Sequence, residues 1–181
     1  MSQFTDDLTK GRRGELIALD VFSKLYEQYE FIDVAKDKDF YYIGDIKVVK
    51  KQSGNERFIE VKNDSRIADT HNVLCEDKYF SKYDGKFHKG NMHNSGTWLY
   101  CVVSEQERKI YTFDYVALQA IYRTGTPKEI EHKTQDTYAY LLSLSTLEAK
   151  GILLGTINYW KDGYYGYIFI NFISYIGVRG F

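Results

Sequence analysis

Glu60, Val61 and Lys62 are the residues of this chain whose types and spacing best suit chemistry. On an extended strand, Glu60 and Lys62 project to one face while Ile59 and Val61 project to the other. Asp45 lies fifteen residues upstream, and Glu15 lies earlier still in a helical pattern. Two acids from neighbouring strands, with a lysine beside one of them, can hold a hard divalent cation against a phosphate. Hydrolysing a phosphodiester at neutral pH needs a charge clamp on the phosphoryl oxygens and an activated water. The pattern therefore leads to an expectation of metal-dependent phosphodiester cleavage. Asp45 and Glu60 would supply carboxylate ligands to Mg²⁺ or Mn²⁺, and the Val61 backbone carbonyl would add another oxygen. Glu15 would complete the shell or hold a second ion. Lys62 would contact the scissile phosphate or lower the pKa of the attacking water. A Glu-x-Lys pair alone is an ordinary same-face ion pair on a strand; its conjunction with Glu15 and Asp45 gives it this meaning.

The elements that must position these residues are legible in outline. Residues 9–29 read as an amphipathic helix capped by Asp7 or Thr9, with Leu8, Leu19, Phe22, Tyr26 and Tyr29 on a buried stripe. Glu15 falls on that stripe, where a carboxylate is out of place unless a metal or a cation receives it. Strands are expected over 31–34, 40–49 and 57–62, with a turn at 50–55. Residues 63–94 are polar and irregular and read as a long functional loop with short structured pieces. Two strands follow at 98–103 and 109–113, then a helix over 114–122 with Asp114 as its cap. Residues 124–135 read as a linker, 138–144 as a strand, and 145–150 as a short helix capped by Ser145. The glycine-punctuated aromatic tail, 152–181, reads as one or two extra strands or a dimer surface. The fold expected is α/β, with a central mixed sheet of four or five strands and helices on both sides.

The order Glu15, Gly44-Asp45, Glu60-Val61-Lys62 resembles the PD-(D/E)XK nuclease superfamily, which includes restriction enzymes, Holliday-junction resolvases and many phage nucleases. The resemblance covers residues 9–120. It implies a restriction-endonuclease-like αβββαβ core and a metal-binding catalytic centre of Asp45, Glu60 and Lys62, with Glu15 matching a first-helix glutamate. Gly44 stands where the superfamily's name has proline. The run from Thr70 to Glu76 also resembles a Thr-Gly-Asn segment that follows the ExK strand in some branches, with His71 in place of the glycine. On this reading residues 1–151 form the nuclease-like domain, and 152–181 an extension packed on it or at an interface. The partner implied is DNA, and cutting both strands makes a homodimer a candidate assembly.

Composition narrows the alternatives. Apolar residues make up 44% and charged residues 27% of 181, ordinary values for a soluble globular chain. The net charge of −1 means that DNA would be met by a local basic patch, for which Lys10, Arg12, Arg13 and Lys47 are candidates. Seventeen tyrosines suit half-buried strands, interfaces and base stacking equally. Cys75 and Cys101 lack metal-ligand or disulfide-framework spacing and fit a reducing, cytoplasmic compartment. The polar start shows no signal peptide, and the uncharged stretch 163–177 is too short and polar for a membrane span. The pairs His71-Asn72 and His93-Asn94 suggest an HNH-type site, but residues 85–96 are too rich in glycine and asparagine for its helix. Cys75 and His71 could form a nucleophilic pair, yet Cys75 lies in an apolar run and reads as buried structure. Glu76 reads as a solvated surface carboxylate, with a further metal ligand or a loop-ordering acid as the alternatives. The reading of a different class is a non-catalytic module that keeps the fold and binds nucleic acid or another protein.

Overall fold

The computed structural model describes residues 3–40, 42–124, 128–131, 135–160 and 165–169. Helix α1 (Gln3–Leu25) buries Ala18, Val21 and Phe22 on one stripe. It ends before the expected residue 29, because a turn at Tyr26 (Tyr29 N–H to Tyr26 O, 2.9 Å) leads into strand β1 (Tyr29–Asp33). Tyr29 fits the helical spacing, but its ring enters the same core from the strand. Leu8 falls outside the described side chains.

Strand β2 (Ile46–Lys50) is shorter than the expected 40–49. Phe40, Tyr42 and Ile43 lie in turns, with the Ile43 N–H donating to Phe40 O at 2.8 Å, although their aromatic residues suggest a strand. Strand β3 (Glu56–Asn63) completes an antiparallel β1-β2-β3 meander in which Ile46 is paired with Ile59.

The irregular loop expected over 63–94 is largely ordered structure. It holds helix α2 (Ile67–Thr70), strand β4 (Asn72–Ser81), strand β5 (Lys86–Lys89) and a 3-10 turn, Asn91–His93. The charged run Glu76-Asp77-Lys78 hides β4 from a reading of alternation. Pairing with a distant strand, β9 (Gln135–Ser143), determines it instead.

Strand β6 (Thr97–Ser104) runs parallel to β3, and β7 (Lys109–Asp114) returns antiparallel to β6. Helix α3 (Tyr115–Tyr122) is capped as expected: Asp114 accepts the Ala117 N–H at 3.0 Å. The expected linker 124–135 contains β8 (Lys128–Glu131), which pairs with β9 (Gln135–Ser143). Helix α4 (Leu144–Ala149) is capped by Ser143 rather than Ser145. Strands β10 (Leu153–Tyr159) and β11 (Tyr165–Phe169) continue the large sheet beyond β7.

The result is a mixed α/β fold with two sheets. Among the described residues the larger has seven strands, β1-β2-β3-β6-β7-β10-β11, and the smaller four, β5-β4-β9-β8. Alternation along β6 divides two cores. Leu99, Cys101 and Val103 pack with Ile59, Val61 and α1, while Tyr100 and Val102 pack with α3, α4 and β4. Fully burying each such large apolar side chain stabilises the fold by about 1.5–3 kcal/mol. No helix among the described residues is long and apolar enough to cross a membrane.

Candidate active site

Strand β3 divides its side chains as the sequence implies. Ile59 and Val61 enter the core under α1. On the other face Lys62 Nζ lies 2.9 Å from Glu60 Oε1, and Glu60 is only 5% exposed. Asp45 stands where β2 leaves β3. Its backbone N–H donates to Ile59 O at 2.9 Å, and its Oδ2 accepts the Val61 N–H at 2.8 Å. Asp45 thus brackets the backbone of Glu60 on both sides. A strand residue directs its N–H and C=O to the same side, so the Val61 carbonyl shares the side on which Asp45 lies.

Glycine makes this approach feasible. A Cβ on Gly44 would sit 2.9 Å from the Ile59 carbonyl oxygen and 3.2 Å from Phe58 Cβ. A side chain there would push the Asp45 turn off β3.

The electrostatics of the three residues are linked. Burial, then the charge of Glu60, pushes the Asp45 carboxyl up to about 7, against the opposing pull of Lys62 and the Val61 N–H. Burial favours a neutral Lys62, but Glu60, Glu76 and Asp45 outweigh it and hold the ammonium well above the ordinary lysine range. Lys62 is therefore a fixed cation rather than a base.

These residues line a cavity of about 710 Å³. Glu76 lines it too, half-buried in β4 and close enough to act on Lys62, so the expectation of a solvated surface carboxylate is corrected. Asn94 is a contributor that sequence reasoning singled out only for the HNH comparison. Its Nδ2 donates to Glu60 Oε2 at 2.8 Å across 34 residues of chain. Helix α3 fixes that segment: Tyr115 Oη donates to Asn91 O at 2.6 Å, and Gln119 Nε2 to Met92 O at 2.7 Å. Asn91 in turn accepts the Glu76 N–H at 3.1 Å through Oδ1. No local spacing could reveal contacts of this range.

The remaining candidates lie elsewhere. Glu15 accepts from Arg12 at 2.7 Å, and Arg12 also pairs with Asp33. Glu15 is absent from the cavity lining, though its charge reaches Asp45. Arg13 pairs with Glu105, and Lys47 with Glu56 at 2.6 Å. Lys10 is exposed, and its carbonyl accepts from Asn63 Nδ2 at 2.7 Å. None of Lys10, Arg12, Arg13 and Lys47 lines the cavity, so the expected basic patch is not assembled around it. His88 and His93 do line it, from β5 and the 3-10 turn, each 2.9–3.0 Å from an aspartate. An HNH helix has no place there. Cys75 is buried, as expected of a structural thiol.

Among the described residues, no group of three or more His, Cys, Asp or Glu side chains is placed to hold a metal ion. The donors at hand are the two carboxylates of Asp45 and Glu60 with the Val61 carbonyl. That set fits Mg²⁺, which keeps several waters and takes one or two carboxylates. The buried acid pair, which forces Asp45 upward, is the feature a divalent cation would relieve. No protein-family model, curated protein or solved structure matches this chain.

Proposed function

We propose that this protein is a metal-dependent endonuclease that hydrolyses DNA phosphodiester bonds. One observation carries the reading: Asp45, tied to β3 by the Val61 N–H, shares its field with Glu60 and Lys62 in one cavity. Asp45, Glu60 and the Val61 carbonyl would hold Mg²⁺ or Mn²⁺, with Glu15 acting on Asp45 from the helix side. A bound divalent cation supplies a positive clamp on phosphoryl oxygens and an acidified water. Lys62, whose ammonium is favoured by the charges of Glu60, Glu76 and Asp45 and whose side chain is 39% exposed, is suited to gripping a phosphate oxygen. In this reading α1, β1–β3 and the parallel β6 correspond to a restriction-endonuclease-like core, with β4 and β5 inserted in its crossover. Two buried cysteines without a disulfide suit a cytoplasmic setting. A homodimer would place two such sites on the two strands of a duplex.

A second reading has its own observation. Both Glu60 oxygens are already engaged, by Lys62 and Asn94, which suits a non-catalytic module that binds nucleic acid or protein. Melting with Mn²⁺ separates the two. The nuclease reading expects a rise of about 5–10 °C at a hundredfold excess over Kd, absent in Asp45→Ala. No shift in the wild type, or an equal shift in Asp45→Ala, would favour the module.

A further inference from the structure

Strands β4 and β5 and the turn between them place Lys78, Lys82, Lys86 and Lys89 within twelve residues, against one aspartate, Asp84, in a chain whose net charge is −1. All four lysines are exposed. In register, Lys78 lies directly opposite Lys89, and Phe80 opposite Phe87. These four share one face of the smaller sheet with Tyr138, while Tyr79 and His88 stack on the other. Like charges directly opposite one another destabilise a strand pair. The acids nearby do not relieve this one. Asp77 is engaged by His93 at 3.0 Å, Asp84 by His88 at 2.9 Å and Asp136 by Lys82 at 2.7 Å. Lys78 Nζ lies instead over the rings of Phe87 and Tyr138, at 5.0 and 5.2 Å from their centroids. Those rings hold the ammonium at the surface without neutralising it.

This charge adjoins the candidate site. Strand β5 is the outer strand of its sheet, and His88, Lys89 and Gly90 line the cavity that holds Asp45, Glu60 and Lys62. The lysine strip therefore begins at the rim of that cavity. The ligand that complements such a strip is a linear polyanion. Duplex DNA carries one phosphate charge per about 1.7 Å of axis, and each lysine contact releases more condensed counterion from a duplex than from a single strand.

We propose that the β4–β5 strip is a track for the phosphate backbone of duplex DNA, with Lys78 and Lys89 as its central contacts. This names the substrate of the nuclease reading and rests on that reading for the cutting, not for the binding.

Fluorescence anisotropy of the full chain in EDTA tests it, using a labelled blunt duplex and labelled oligothymidylate of equal nucleotide number. The duplex is expected to bind more tightly. The double variant Lys78→Gln, Lys89→Gln should weaken duplex binding about tenfold at low salt and reduce the slope of log Kd against log salt by about 2. Lys78→Arg with Lys89→Arg should preserve both. Lys51→Gln with Lys150→Gln, which removes the same charge from other exposed positions, should also leave them unchanged. An unchanged slope in the Lys78, Lys89 glutamine variant, an equal loss in the Lys51, Lys150 variant, or tighter binding of oligothymidylate would overturn the proposal. Because EDTA removes metal-dependent cutting, a protein that never cleaves can still pass. A protein that cleaves but keeps its slope in the glutamine variant fails here alone.

Discussion

Asp45 occupies a position that resists its own charge, and that gives the site a pH signature. Its carboxyl ordinarily titrates at 3.8, and burial with Glu60 raises it to about 7. Between those values the folded protein keeps a proton that the unfolded chain releases. The metal-free protein should therefore lose stability as pH rises from about 4 to 7. This component should vanish in Asp45→Asn, where nothing titrates; melting curves across that range check it. Cation binding displaces the same proton, so Mn²⁺ affinity should rise about tenfold per pH unit below 7 and level off above it. Calorimetric titration at several pH values measures this directly, and a flat profile would detach Asp45 from the ion.

At the scale of elements, the site depends on how closely the Asp45 turn approaches β3. Gly44→Ala places a Cβ 2.9 Å from the Ile59 carbonyl oxygen, and backbone must move to accept it. The variant should lose about 1–3 kcal/mol in urea unfolding. It should also weaken Mn²⁺ binding, although every ligand remains. The sequence made the Glu60–Lys62 face and the Asp114 cap legible because each follows from local periodicity or a local hydrogen bond. The aromatic residues before β2 carry strand propensity, whereas the backbone there turns on itself, Ile43 N–H to Phe40 O. The charged centre of β4 defeats alternation although Val73 and Cys75 still reach the core, so local periodicity does not mark this strand. Asn94 and Glu76 join the cavity through the crossover that contains β4 and the 3-10 turn, and no short-range pattern encodes that path.

The molecule as a whole is two sheets sharing a buried layer, and its two cysteines report on both. Cys75 lies in the smaller sheet and Cys101 in the larger, each fully buried. Burial pushes the Cys75 thiol up to about 12 and Cys101 higher still, so neither supplies thiolate near neutral pH. Both should resist a thiol reagent in the native protein and become reactive together in denaturant. Labelling of Cys75 well before Cys101 would show that the smaller sheet opens separately. The cavity between these sheets is where cutting is expected, and single-turnover cleavage of a labelled DNA oligonucleotide measures it. Wild type should cut with Mn²⁺ and not with EDTA, while Asp45→Ala, Glu60→Ala and Lys62→Ala each lose at least about a hundredfold with their circular dichroism unchanged. Cutting by Asp45→Ala at the wild-type rate would contradict the assignment.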